Sequence, residues 1–249
     1  MILISDILIF VAGIVAGIVG SISGGYGLVI VPVLLLLGLP PHIALGISNF
    51  SGIGYSTGNL IKFSQHKNLG VPRKDILIFT LISVPAVIIG AKLVVAVDPE
   101  SLSKIMGVVL LVLIPLIFSK KDLGVTENRA TGSKRIGAHV LFFLCRVWSG
   151  FFSPGSGLLE TYVKMRAYGY TILQGKAVTR VAHIASNIGG TIVFIGAGLI
   201  NWRYAIIAFI GMFIGGYFGM GYAIKKGDAW LKPLIGIMIL ITAIKMIFF

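Results

Sequence analysis

The 249 residues are 57% hydrophobic and 12% charged, with a mean hydropathy of +1.00, whereas an ordinary soluble domain is about one quarter charged. This composition excludes a typical soluble domain and indicates a polytopic membrane protein. The period-two alternation of a membrane barrel is absent, so the predicted fold class is all-α. The formal net charge of +13 is assigned to loops at the membrane surface, where basic residues set orientation and meet anionic lipid, and not to nucleic acid.

The first apolar run contains a break. Residues 7–61 include no Lys, Arg, Asp or Glu, and this run is too long for one membrane helix. The stretch SGGYG lies inside it at 23–27, and clustered glycine and serine are typical of a point where one helix ends and another begins. We therefore predict a hairpin of two short helices, whose second arm extends over 28–39. No Lys or Arg precedes the run, so we interpret it as a mature segment and not as a signal peptide.

Further apolar stretches are long enough to cross a bilayer as helices. They extend over 76–97, 102–118, 177–195, 204–224 and 230–249.

The loop charges predict how these stretches are oriented. Lys and Arg are enriched in cytoplasmic loops, which puts the basic loops 62–74, 120–135 and 225–232 inside. The acidic turn at 97–104 is then outside. The segment 137–165 must enter the membrane and return, and it is interrupted by FFSPGSGLL, whose proline and glycines are typical of a helix break.

The sequence contains an internal duplication at roughly half its length. GSISGGYGL at 20–28 aligns with GFFSPGSGL at 150–158, and ALGISNFSGIGYSTG at 44–58 aligns with GKAVTRVAHIASNIG at 175–189. Each copy is predicted to contain one broken-helix hairpin and three transmembrane helices. Because five helices is an odd number, the second copy starts on the opposite face, which gives two inverted repeats.

The predicted domains are a first membrane repeat (1–119), a basic cytoplasmic linker (120–136) and a second membrane repeat (137–249). In an alternative arrangement, each broken segment crosses the membrane once as a kinked helix. That arrangement has eight helices, four plus four, in parallel halves.

The two breaks are predicted to form a substrate site. Inverted repeats with broken helices are a recurrent transporter plan, with the substrate at the midplane. A helix that begins inside the bilayer presents unpaired N–H groups and the positive end of its dipole, which favour an anion. The candidate binding residues at the two tips are Ser23, Gly24, Gly25, Tyr26, Gly27, Ser153, Gly155, Ser156 and Gly157. Small residues can instead serve close helix packing, the role that we assign to Gly13, Gly17, Gly52, Gly211 and Gly215.

Two repeat-related elements, ISN at 47–49 and VTR at 178–180, add polar groups. The further candidate binding residues are Ser48, Asn49, Thr179, Arg180, His183 and Asn187. The last three are spaced to share one helix face, and the planar fork of Arg suits an oxyanion. The alternatives for Arg180 are a structural pair with Glu160 or snorkelling to the surface, and snorkelling is the role expected for Lys176.

Arg146 and Glu160 lie on opposite arms of the second predicted hairpin, where a structural pair is the expected role. Both are also candidates for ion coupling, and Glu160 comes first because it is almost the only carboxylate within the predicted core. Cys145 is interpreted as a packing residue. No HExxH, GxSxG or P-loop motif is present, which argues against an enzyme or a primary pump, and no cofactor or metal is expected.

The segment GLVIVPVLLLLGLPPHIALGISN at 27–49, preceded by SGGYG, resembles the TauE/SafE sulfite-exporter family of membrane permeases. That family has a glycine-rich GxGGG break, an apolar stretch ending in VP, a GLPP-type turn and an Ala-x-Gly-Thr/Ser element. The resemblance covers about thirty residues in the first half, and the duplicated layout extends it over the whole chain. By motif, the family's central positions are Ser23, Gly24, Gly25, Gly27, Pro32, Ser48 and Asn49.

The chain departs from the family pattern at three places. Tyr26 stands where a glycine is usual, SPGSGLLETYV replaces a second GxGGG with its VP, and AVTR replaces the small-residue element. Glu160 and Arg180 thereby enter near the site that the family would use.

The resemblance implies secondary transport of a small sulfur-containing anion such as sulfite, thiosulfate or sulfoacetate. We expect alternating access in the cell (cytoplasmic) membrane, which the chain crosses several times, with protons as the possible coupling ion. The expected partners are the small anionic substrate, membrane lipid and a second copy of the chain in a homodimer. The alternatives are a passive anion channel and a lipid-phosphate carrier.

Overall fold

The computed structural model describes residues 2–65, 71–118 and 133–223. These residues form nine α-helices and no strand, which confirms the all-α fold class. The helices are α1 (Ile2–Ser23), α2 (Gly27–Leu36), α3 (Pro41–Ser64), α4 (Arg73–Val95), α5 (Pro99–Phe118), α6 (Ser133–Phe151), α7 (Ser156–Arg166), α8 (Ile172–Gly196) and α9 (Trp202–Ala223). The predicted span 230–249 and most of the predicted linker lie outside the described residues.

Both predicted helix breaks are present. The first separates α1 from α2, and the second separates α6 from α7. Gly24 and Gly155 have φ angles of +84° and +76°, a left-handed conformation that glycine adopts without the steric cost of a Cβ atom. The glycines of the two tips are therefore needed for the change of chain direction.

Each break was predicted to join two short helices. This prediction is wrong for the helix that precedes each break, α1 or α6. Helices α1 and α6 have 22 and 19 residues, whereas α2 and α7 have 10 and 11. No charged residue or proline occurs between Ile7 and Ser23, so nothing in that sequence ends α1 before the glycines. The two helices of each pair contact each other.

Four helices among the described residues are long and apolar enough to cross a membrane. The segments are Leu3–Ile22, Arg73–Val95, Gln174–Gly196 and Trp202–Tyr222. The last three overlap the predicted spans 76–97, 177–195 and 204–224. Helix α5 covers the predicted span 102–118, although it is not among these four.

The packing partners of the helices exchange between the two halves. In the alignment, α1 to α4 correspond to α6 to α9. Helix α1 packs on α9 and α6 packs on α4, while α3 packs on α9 and α8 packs on α4. Helices α3 and α8 also pack on each other. This exchange is the pattern that two copies related by a two-fold axis produce, and the inverted orientation of the copies in the membrane stays a prediction.

Glycines allow α1 and α9 to approach closely. A Cβ atom on Gly17 would lie 2.6 Å from the backbone nitrogen of Gly216, and one on Gly13 would lie 3.0 Å from the carbonyl oxygen of Ala208. A Cβ atom on Gly211 or Gly215 would overlap the backbone of α1. The predicted packing role of these four glycines is confirmed.

Candidate functional site

A cavity of about 50 Å³ lies where the two breaks meet. A volume of this size admits a few water molecules or one small ion. Its lining comes from both halves of the chain: Gly24, Tyr55, Ser56, Asn59, Phe63, Gly157, Glu160, Thr161, Lys164, Lys176, Thr179, Arg180, His183 and Met220.

The two tips touch through their glycines. A Cβ atom on Gly157 would overlap the carbonyl oxygen of Gly24, and one on Gly27 would lie 2.7 Å from Ser153 Oγ and 2.9 Å from the nitrogen of Pro154. Gly24 aligns with Pro154, and Gly27 aligns with Gly157. The two contacts are therefore equivalent under the repeat, and they bring the two predicted helix starts together at the cavity wall.

The backbone N–H groups at the two tips differ in the length of their hydrogen bonds. At the start of α2, the N–H groups of Leu28 and Val29 donate to Gly25 and Tyr26 at 3.0 and 3.1 Å. At the start of α7, the N–H groups of Ser156 and Leu159 make longer bonds of 3.4 Å. The N–H groups at the start of α7 are therefore held by longer bonds than those at the start of α2, in the position where a helix start can bind an anion.

A buried carboxylate, Glu160, organises the charged side of the cavity. Glu160 Oε1 accepts a hydrogen bond from Lys164 Nζ at 2.9 Å, and Oε2 accepts one from Arg146 Nη1 at 3.1 Å. His183 Nε2 lies 2.9 and 3.1 Å from the two carboxylate oxygens. The predicted Arg146–Glu160 pair therefore forms within a cluster of three nitrogen donors.

The donors around Glu160 are themselves held by hydroxyl groups. Arg146 Nη2 donates to Ser186 Oγ at 2.5 Å, and Lys164 Nζ donates to Thr179 Oγ1 at 3.1 Å. Buried charges are tolerated when such hydrogen bonds replace the lost hydration. The cluster therefore fixes a carboxylate and two cations at one wall of the cavity.

Arg180 faces the cavity without an ion-pair partner among the described residues. The structural pair between Arg180 and Glu160 that the sequence allowed does not form, because Arg146 and Lys164 occupy the carboxylate. The buried Nε atom of Arg180 has no hydrogen-bond partner in the part of the chain that the structure describes, and the guanidinium lies 5.7 Å from the Phe63 ring. The guanidinium therefore has unused donors beside the cavity.

Lys176 does not snorkel to the surface as the sequence predicted. Its Nζ donates to the carbonyl oxygens of Ser21 and Ile22, the latter at 2.9 Å, and the residue lines the cavity. These carbonyls belong to the last turn of α1, which the break leaves without helical partners. A lysine of the second half thus satisfies a helix end of the first half.

Of the residues predicted to bind substrate, five line the cavity: Gly24, Gly157, Thr179, Arg180 and His183. Those outside the lining are Gly25, Tyr26, Gly27, Ser48, Asn49, Ser153, Gly155, Ser156 and Asn187. The structure describes Ser23 only as the last residue of α1, and its side chain lies outside what is described.

Several of the residues outside the lining are held within the surrounding structure. Ser156 Oγ donates to the carbonyl oxygen of Ser153 at 2.8 Å, and Ser48 Oγ lies 3.4 Å from Ser153 Oγ. A Cβ atom on Gly52 would lie 2.6 Å from the Tyr26 hydroxyl and 2.7 Å from the Asn187 amide nitrogen. Gly52 therefore makes room for polar side chains where α3 packs on α8, which is consistent with its predicted packing role.

Sequence reasoning missed part of the lining, although spacing signals exist for it. Tyr55 and Asn59 are four residues apart on α3, and Glu160 and Lys164 are four apart on α7. Residues four apart share a helix face. Lys176 stands four residues before Arg180, on the face already assigned to the site.

The family described as sulfite exporter TauE/SafE matches residues 9–246. The chain belongs to the TauE/SafE family. It is similar to the probable membrane transporter protein ORF9 of Sinorhizobium sp., with 28% identity over 96% of this chain and 91% of that protein. It is also similar to the probable membrane transporter protein YfcA of Escherichia coli, with 27% identity over 99% of this chain and 90% of that protein.

A third TauE/SafE relative, the probable membrane transporter protein YdhB of Bacillus subtilis, is 27% identical over 94% of this chain and 98% of that protein. No solved structure matches the chain. The family and these relatives make the chain a TauE/SafE membrane transporter. This confirms the resemblance that the sequence motifs indicated.

Proposed function

We propose that this TauE/SafE protein is a secondary transporter that carries a small sulfur oxyanion across the cell membrane, which it crosses several times. The single observation that carries the proposal is the Arg180 guanidinium, which lines a cavity between two broken helices and whose buried Nε lacks a hydrogen-bond partner within residues 2–65, 71–118 and 133–223. Among the described lining residues, Lys164, Lys176 and Arg180 are cationic and Glu160 is the one carboxylate. The positive excess favours an anionic ligand.

The chemistry of the lining supports an oxyanion in particular. A guanidinium donates two parallel hydrogen bonds, which match the oxygens of a tetrahedral or pyramidal anion. The N–H groups at the start of α7 make only long hydrogen bonds of 3.4 Å and offer further donors. The cavity, of about 50 Å³, accommodates a small ion, and sulfite, thiosulfate and sulfoacetate are the candidate substrates.

The arrangement of the two halves supports transport by alternating access. Equivalent helices exchange partners between the halves, and the cavity lies at their junction. Two related halves can open such a central site to either side by equivalent rearrangements.

The test is flux into liposomes that contain the purified protein. Sulfite, thiosulfate, sulfoacetate, sulfate and acetate are compared, with empty liposomes and protein carrying Arg180→Gln as controls. We expect saturable uptake of sulfite or thiosulfate that Arg180→Gln weakens. Current that rises linearly with voltage and does not saturate would instead indicate a passive channel. If no member of the panel gave flux but polyprenyl phosphate bound, a lipid-phosphate carrier would replace this proposal.

A further inference from the structure

Four charged or titratable groups face one another at the wall of the cavity. Glu160 and Lys164 come from α7, Arg146 comes from α6 and His183 comes from α8. Among them, His183 has the most exposed side chain, at 23%, against 3% for Glu160 and 5% for Lys164. His183 is therefore the member of the cluster with a route to water.

The contact with Glu160 determines which nitrogen of His183 is free to take a proton. His183 Nε2 lies within hydrogen-bond distance of both carboxylate oxygens. An ionised carboxylate only accepts hydrogen bonds, so Nε2 carries the hydrogen and donates. A neutral imidazole with its hydrogen on Nε2 takes a further proton at Nδ1.

We infer that His183 binds the coupling proton, and that proton and anion bind together and cross the membrane in the same direction. This inference rests on the proposed function. The imidazolium that forms adds a positive charge to the cavity lining, beside Arg180 on the same helix. The Glu160 carboxylate stabilises that charge at hydrogen-bond distance, so the proton and the anion each strengthen the binding of the other.

The other groups around His183 do not replace it in this role. Lys176 on its own helix is engaged with the end of α1, and the Tyr55 hydroxyl from α3 donates to the carbonyl oxygen of Gly20 at 2.8 Å. Within the described part of the chain, α9 contributes Met220 to the lining and α4 contributes no residue. Arginine stays protonated at all physiological pH values.

The repeat gives the number of protons. Gly52 occupies the position equivalent to His183 in the alignment of 44–58 with 175–189, and the alignment of the two breaks, extended, makes Ile30 and Leu34 equivalent to Glu160 and Lys164. Ile30 and Leu34 are fully buried apolar residues. The proton-binding cluster therefore exists in one copy only, and we expect one proton for each anion.

The experiment measures proton uptake when thiosulfate binds to the purified full-length protein. Thiosulfate is used because, unlike sulfite, it does not itself titrate near neutral pH. Calorimetry in two buffers of different ionisation enthalpy gives the number of protons taken up for each thiosulfate bound. We expect about one proton for the wild type and an affinity that rises by up to about tenfold for each unit of pH decrease while His183 titrates.

His183→Gln keeps a donor that can reach Glu160 but cannot take the proton. We expect this variant to bind thiosulfate without proton uptake and with an affinity independent of pH. His139→Gln is the matched control, because His139 lies on α6 and bonds to Tyr168 outside the cavity. It should behave as the wild type. Undiminished proton uptake by His183→Gln would overturn the inference.

A second variant keeps the test decisive should His183→Gln not fold. The chain has four histidines, and the combination His42→Gln, His66→Gln and His139→Gln leaves only His183. Proton uptake retained by this variant supports the inference, and its loss overturns it.

If the wild type binds thiosulfate without taking up a proton, proton coupling fails but the proposed function stands. If the wild type neither binds nor transports any anion of the panel, the proposed function itself fails.

Discussion

Ser56 and Asn187 occupy equivalent positions in the two copies of the repeat, and they contact each other directly. Asn187 Nδ2 donates to Ser56 Oγ at 3.5 Å. A residue meets its own counterpart only close to the axis that relates two copies. The axis that the predicted repeat implies would therefore pass between α3 and α8, beside the cavity that Ser56 lines. An anion in this cavity would sit where equivalent movements of either half can expose it.

The unpaired guanidinium of Arg180 gives the first prediction. Arg180→Gln should raise the half-saturation concentration for sulfite or thiosulfate by about ten- to a hundredfold, because a hydrogen bond to a charged group contributes about 1.5–3 kcal/mol. Saturable flux in liposomes measures the change. Arg166→Gln is the control, since Arg166 is exposed in the last turn of α7. Equal half-saturation values for the two variants would remove Arg180 from the site.

The contact between the tips gives the second prediction. Gly157→Ala should strongly reduce the yield of monodisperse protein and its thermal stability, because the added Cβ atom would overlap the carbonyl oxygen of Gly24. Size-exclusion chromatography and thermal unfolding measure both effects. Gly196→Ala is the control, because a Cβ atom there meets nothing within 4 Å. Normal stability and transport by Gly157→Ala would show that the tips do not touch.

The sequence predicted the helix breaks and the helix class because these depend on local features. Glycine and proline interrupt a helix wherever they cluster, and an apolar run of sufficient length forms a helix in lipid whatever its neighbours are. The predicted span 76–97 begins three residues after the start of α4 at Arg73. Apolar content does not mark the polar first turn of this helix.

The sequence predicted the partners of the charged residues less completely than it predicted the helices and their breaks. The Arg146–Glu160 pair was predictable because the two residues flank one break. The engagement of Lys176 with the last turn of α1 depends on how α8 packs near a helix of the other half. A lysine near an apolar segment more commonly snorkels, so the tertiary fold decided this case.

The cluster around Glu160 gives the third prediction. Glu160→Gln should destabilise the protein by about 3–5 kcal/mol, because Arg146 and Lys164 would keep buried charges without a carboxylate. Thermal unfolding in detergent measures the loss. Glu100→Gln is the control, since its pair with Lys104 is exposed on α5 and should leave the transition unchanged. Equal transitions for the two variants would contradict the buried cluster.

The start of α5 gives a prediction of pH dependence. The backbone N–H of Ser101 donates to Asp98 Oδ1 at 2.9 Å and holds the pKa of this exposed carboxyl below its ordinary value of 3.8. The stabilisation is therefore present above that ordinary value and is lost as the pH falls through the lower pKa of the folded state. Asp98→Asn keeps an acceptor for the helix start but cannot titrate. The difference in Tm between wild type and Asp98→Asn should shrink below pH 3.8, and a constant difference would contradict the assignment.

The link between Lys176 and α1 gives the last prediction. Lys176→Met should lower Tm and also raise the half-saturation concentration, because the carbonyls of Ser21 and Ile22 lose their donor and the cavity loses a positive charge. Lys92→Met, which removes an exposed lysine in the last turn of α4, is the control and should change neither quantity.

Lys176→Arg is the conservative variant for comparison with Lys176→Met. It retains the charge and several donors, so we expect it to recover Tm and most of the apparent affinity. A variant Lys176→Met with normal Tm but weakened anion binding would mean that Lys176 acts on the anion and not on the helix end. Normal binding with lowered Tm would mean that its contribution is the connection between the two halves.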